Sequence, residues 1–147
     1  MIKDLLDLLK EEQVLLDSAT DIFLYSYSQC RDMGIKEEYS YGELDKLEAL
    51  TSRFARLSDL LVQKIFRLID RIDLEDVGTV RDRINRAEKK GLIEDADVFV
   101  QIRVLRNDIA HEYLPDAVKE IYKKVLDLSP GLIDSVQRVK GYCRRYG

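Results

Sequence analysis

Three observations predict an all-α protein, an antiparallel bundle of about five to six helices. Apolar residues recur at steps of three and four through nearly the whole chain, and no stretch of useful length alternates at the two-residue period of a strand. Only two prolines occur, neither of them in the first half. At 147 residues the chain has the size of one domain, 1–147, able to bury roughly two-thirds of the surface its unfolded form exposes.

The first element places Ile2, Leu5, Leu9, Leu16, Ala19 and Phe23 near a three-and-four spacing, with Leu6, Leu8, Leu15, Ile22 and Leu24 widening the stripe. That pattern predicts a helix with a broad buried face ending near Gly34. Residues 34–42, with Tyr39, Ser40 and Tyr41, read as a loop. From about Glu43 to Leu74 a long pattern runs through Leu47, Leu50, Phe54, Leu57, Leu61, Ile65, Leu68 and Ile72 and predicts a spine helix. Thr79 can cap a short helix carrying Val80, Ile84 and Ala87, and Gly91 suits its C-terminal turn. A further helix from about Glu94 carries Val98, Phe99, Ile102, Leu105 and Ile109. Pro115 fits the first position of the next helix, and Pro130 is expected to open a last one carrying Leu132, Ile133, Val136, Val139 and Tyr142.

Composition removes several function classes. No run of about 20 apolar residues exists to span a membrane, and the N-terminal segment carries Asp4 and Asp7 inside its apolar pattern, unlike a secretion signal. Cys30 and Cys143 lack metal-type spacing and read as free thiols of a reducing compartment, so a cytoplasmic location is expected. A net charge of −4 argues against a polyanion binder whose whole surface is basic, so any nucleic-acid site must be local. One histidine and scattered carboxylates offer no convincing metal-ligand spacing, and no cofactor is expected.

The most informative stretch is Arg106-Asn107-Asp108-Ile109-Ala110-His111-Glu112-Tyr113, which holds the only histidine of the chain. A helix serving only to pack rarely gathers an arginine, an amide, an imidazole and a phenol in its last two turns, because burying them costs energy unless each finds a partner. At about 100° per residue, Arg106 and Tyr113 lie about 20° apart around the axis, with Asn107 and His111 one turn apart on the adjacent strip. Leu105 and Ile109 fall on the opposite side as anchors, and the small Ala110 leaves room for a close approach. Phosphate chemistry or phosphate binding can use this wedge. The plainer alternative is a histidine complementing a helix C-terminus.

A second pattern lies on the spine helix. Arg53, Arg56, Lys64, Arg67 and Arg71 follow steps compatible with one stripe beside the apolar one. Such a row can track a phosphate backbone, or it can be a solvated face paired with Asp59, Asp70 and Asp73. The cluster Arg81, Arg83, Arg86, Lys89 and Lys90 leaves the same two readings open.

Arginine, four residues, histidine, one residue and tyrosine, filled here by Arg106, His111 and Tyr113 with Asn107 and Ala110 between them, resembles the signature of HEPN-domain proteins. It is most similar to that of the HepT-like toxins, which are encoded beside a minimal nucleotidyltransferase called MntA. The resemblance implies a helical bundle that forms a homodimer, so that two octets face one cleft, and a metal-independent endoribonuclease acting there on RNA. It further implies that Arg106 and His111 are catalytic, that Asn107 supports them, and that an MntA-like antitoxin modifies the Tyr113 hydroxyl with AMP.

The residues themselves are compatible with that chemistry. RNA cleavage by its own 2′-OH needs a base, an acid and positive charge on the phosphorane oxygens. His111 can be base or acid, and Arg106 supplies charge. One imidazole per chain is half of a two-histidine apparatus, so a twofold dimer would complete it. A second class of function remains open at this level: a non-catalytic subunit of a minimal nucleotidyltransferase that binds nucleotide or substrate through Arg106 and Asn107.

Overall fold

The computed structural model describes residues 1–76, 78–111 and 115–147, which are helical apart from short connections, with no strand among the described residues. The all-α bundle expected from the periodicity is the fold observed.

Helix α1 (Ile2–Met33) ends at Gly34, whose φ of 72° and N–H bond to the Cys30 carbonyl stop the helix where the sequence places its end. Its core seam is narrower than expected. Leu9, Leu16, Phe23 and Cys30, seven residues apart, are fully buried, whereas Leu8, Leu15, Ile22 and Leu24 remain substantially exposed. A seven-residue repeat keeps one strip of a helix toward its neighbour, so residues one position before that strip turn about 100° away from it.

Helix α2 (Tyr41–Asp59) begins two residues before the expected start. Ser40 caps it: its Oγ accepts from the Glu43 N–H at 3.2 Å, and the Glu43 carboxylate accepts from the Ser40 N–H at 2.9 Å. The spine is not one uniform α-helix. Residues Leu60–Ile65 form a π-helical segment, after which α3 (Phe66–Ile72) continues, and the Phe66 N–H reaches back five residues to the Leu61 carbonyl. Leu61, Val62, Ile65 and Phe66 of this stretch are all buried in the core. Arg83, itself almost fully buried, donates to the Val62 carbonyl at 3.3 Å and to the Gln63 side chain at 3.1 Å, bracing the segment from the helix that follows.

Helix α4 (Val80–Lys90) is capped by Thr79 and Asp82 in a reciprocal pair and ends at Gly91 in the left-handed conformation, as expected. Among the described residues, Asp59, Asp70 and Asp73 of the spine pair with basic residues from other helices rather than with the spine's own basic stripe. Asp70 accepts from Arg86 and Lys90, each at 3.0 Å, while Asp73 holds Lys90 at 2.9 Å and the Tyr142 and Tyr146 hydroxyls at 2.5 Å. The spine carboxylates thus tie α4 and the C-terminus to the rod.

Helix α5 (Ala96–His111) starts where the Glu88 carboxylate accepts the Ala96 N–H at 2.7 Å. Its Phe99, Ile102 and Leu105 are buried, Phe99 against Phe66 with ring centroids 5.9 Å apart. Helix α6 runs unbroken from Pro115 to Cys143, so Pro130 lies inside a helix rather than opening one. The core explains why it passes through. Val125, Leu132, Val136 and Val139 are all fully buried on one continuous face, and Gly131 allows close packing on Val98 of α5. The helical path survives the lost N–H because packing on both sides of Pro130 exceeds the cost of one backbone bond. A 3₁₀ turn, Arg144–Tyr146, closes the chain.

Helices α1 and α5 both pack on the α2–π–α3 rod. The gap they leave between them holds the candidate site. Among the described residues, no helix is long and apolar enough to cross a membrane.

Candidate functional site

Arg106 is fixed by a residue that the sequence did not connect to it. Asp59, the last residue of α2 before the π segment, receives a side-on pair from Arg106: Nε to Oδ1 at 2.8 Å and Nη2 to Oδ2 at 2.9 Å. Arg103, one turn earlier on α5, donates to the same Oδ1 at 2.8 Å and to the Ser58 hydroxyl at 3.4 Å. Two guanidinium groups therefore share one carboxylate. A bidentate pair fixes the plane of a guanidinium as well as its position.

The electrostatics follow from the geometry. Burial alone would raise the Asp59 pKa, but the hydrogen bonds from Arg106 and Arg103 outweigh it and hold the carboxyl below the usual carboxylate range. The bond to Asp59 correspondingly raises the Arg106 pKa. Both groups stay ionised at neutral pH. Because the Asp59 side chain is 37% exposed, water weakens the pair relative to a fully buried one.

Arg106 stands between two concavities. On one side, a cleft of about 820 Å³ lies between α1, the rod and α5. Leu15, Ala19, Ile22 and Leu60 give it apolar surface, and Arg56, Lys64, Arg103, Arg106 and Asn107 give it polar groups. On the other side, a groove of about 440 Å³ is lined by Thr51, Ser52, Ile109, Ala110 and Tyr122. Asn107 thus opens onto the first and Ala110 onto the second, with Arg106 shared.

The octet is divided accordingly. Leu105 is buried and Ile109 packs against the core, as expected of anchors. His111 is the last residue of α5 and is exposed, one turn beyond Asn107 on the same face. Tyr113 and its neighbour Glu112 lie outside the described residues.

The basic stripe splits. Arg56 and Lys64 both line the cleft, and Lys64 sits 4.0 Å from the nearly buried Glu12 of α1. Arg53 instead donates to the Ser26 hydroxyl of α1. Arg67 lies near Arg83, whose pKa is lowered by burial first and by Arg67 second. Arg71 is exposed. The π segment's extra residue rotates everything after it relative to Arg53 and Arg56, and that breaks the row. In the second basic cluster, Arg83, Arg86 and Lys90 are occupied in bracing α4 against the rod, and Arg81 pairs with Asp97 at 3.5 Å.

Both cysteines are free and buried, as packing residues are. Burial pushes the Cys143 thiol up to about 11, with Asp73 adding to the shift, and burial likewise raises that of Cys30. Neither is a prepared nucleophile. Among the described residues, no three histidine, cysteine or carboxylate side chains converge as a metal site.

Compared with known proteins, the chain matches no protein-family model and no curated protein.

Proposed function

We propose that this chain is a HepT-like HEPN toxin, a metal-independent endoribonuclease whose composite site is completed by a second copy and silenced by AMP transfer to Tyr113 from an MntA-like nucleotidyltransferase. The observation that carries this reading is the setting of Arg106. Asp59 holds it side-on at the mouth of a cationic cleft, with Asn107 on the same wall and His111 exposed one turn further.

The chemistry assigns each group a task. The 2′-oxygen attacks phosphorus while one His111 takes the 2′-proton. The P–O5′ bond breaks as a second His111, from the other protomer, gives a proton to the departing oxygen, leaving a 2′,3′-cyclic phosphate and a 5′-hydroxyl. Arg106 faces the phosphorane oxygens where negative charge develops, already oriented by Asp59 and so needing little rearrangement. Asn107 donates its amide to the same phosphate. On this reading a phosphate attached at Tyr113 competes with RNA for Arg106, and the modification is expected to silence the site.

The same polar wall would suit a non-catalytic subunit that only binds nucleotide, and one experiment separates the two. Purified chain is incubated with single-stranded RNA beside Arg106→Ala and His111→Ala, with and without chelator. The proposal expects cleavage that either substitution abolishes and the chelator leaves intact. Intact RNA throughout, or cleavage that survives His111→Ala, overturns it.

A further inference from the structure

The cleft beside Arg106 has two unlike sides. Its α1 side carries Leu15 and Ile22, which are 53% and 40% exposed, with Ala19 between them. Its opposite side carries, among the described residues, four cationic side chains and one carboxylate, Asp59, which is already taken up by Arg103 and Arg106. The chain as a whole has a net charge of −4, so this is a local reversal of sign. Fields of one sign inside a concavity select ligands of the other.

We propose that this cleft is a nucleotide subsite, in which the nucleobase lies on the apolar side formed by Leu15, Ala19, Ile22 and Leu60 and its phosphate faces Arg106 and Arg56. The proposal rests on the ribonuclease reading of Arg106 and deepens it by naming what occupies the space beside the scissile phosphate. A cleft of about 820 Å³ falls within the range of about 300–1,000 Å³ typical of small-ligand sites. A ligand that is flat and apolar at one end and anionic at the other matches both sides at once. A purely anionic ligand would leave the leucine and isoleucine facing water.

Helix geometry sets the order along the strand. Asn107 lines the cleft and His111 follows one turn later on the same face, about 5–6 Å further along the axis. A base in the cleft therefore belongs to a nucleotide adjoining the phosphate that Arg106 and His111 act on. Among the described residues no aromatic side chain lines this cleft, so the base rests on aliphatic groups, and recognition of its edge falls to the Gln63 amide and the Ser18 hydroxyl.

Isothermal titration of the His111→Ala chain tests this without cleavage, using adenosine 3′-monophosphate, inorganic phosphate and a short single-stranded RNA as probes. The nucleotide should bind about tenfold or more tighter than phosphate, because burying one base face on aliphatic surface contributes that much. Ile22→Ser, which removes apolar surface without adding charge, should remove that advantage and weaken the RNA equally while leaving phosphate binding unchanged. Arg56→Ala should weaken all three probes and lower the salt dependence of RNA binding by about one counterion. Equal affinity for nucleotide and phosphate overturns the proposal. So does an Ile22→Ser chain that keeps full nucleotide affinity but sediments as a smaller species than the parent, since that makes the α1 side a contact between copies. Nucleotide binding in a chain that never cleaves RNA would refute the ribonuclease reading alone, and cleavage without nucleotide preference would refute the subsite alone.

Discussion

Replacing Asp59 by alanine removes three charged hydrogen bonds at once, two to Arg106 and one to Arg103. Buried hydrogen bonds to charged groups contribute about 1.5–3 kcal/mol each. The Asp59 side chain is 37% exposed and that of Arg106 28%, so water takes over part of what is lost, and the net destabilisation should be about 1–2 kcal/mol. The pH dependence has a definite sign. The folded-state pKa of Asp59 lies below its unfolded value, so its contribution is fully present above about pH 4 and is lost as pH falls through the folded value. Urea denaturation of parent and Asp59→Ala should therefore differ at pH 7 and converge in strong acid. In the RNA assay, the freed guanidinium should lower kcat by about 10- to 100-fold, the usual consequence of displacing a positioned group by about an ångström, with Asp59→Glu recovering part of it. An Asp59→Ala chain as stable and as active as the parent refutes the positioning role. A stability loss of unchanged size in strong acid refutes its electrostatic origin.

Other consequences of the packing can be checked separately. Phe54→Ala, at the fully buried crossing of α1 and α2 where Phe54 meets Phe23, should cost about 3–5 kcal/mol by urea denaturation. Arg83→Met withdraws the donor from the Val62 carbonyl and the Gln63 side chain; it should cost about 1–3 kcal/mol and speed amide exchange over residues 60–66 ahead of the rest of the rod. Both thiols should resist a disulfide reagent at pH 8 in the native protein and react together once urea unfolds it, given their burial and raised pKa values.

The sequence carried the fold where one physical rule acts alone. Thr79 and Gly91 bound α4 as their capping chemistry dictates, and Gly34 ends α1. It was less legible where two rules compete. Pro130 reads locally as a helix start, yet the buried face from Val125 to Val139 carries the helix through it. On α1 the apolar residues are too many for one seam, and hydropathy does not say which of Leu8, Leu9, Leu15 and Leu16 face the core. The π segment leaves no signature, because steps of three and four fit a regular helix equally well; its effect is to separate Arg53 and Arg56 from Arg67 and Arg71.

The candidate site shows the same division. The octet is local, so its arginine, amide and imidazole could be read from spacing. Asp59 is 47 residues from Arg106 in sequence, and no periodicity joins them. Its position among apolar residues of the spine made it one acidic residue among several, and only packing of α5 on α2 brings it beneath Arg106. Arg103 was hidden for the same reason, as an ordinary charge on the helix that carries the octet.

If Arg106 and His111 cleave RNA, the products carry the mark of 2′-oxygen attack. The most direct measurement is the end-group chemistry of RNA incubated in chelator with the purified parent chain and with His111→Ala. The parent should yield fragments ending in 2′,3′-cyclic phosphate, and the variant should leave the RNA intact. Intact RNA from both, or the same fragments from both, contradicts this chemistry.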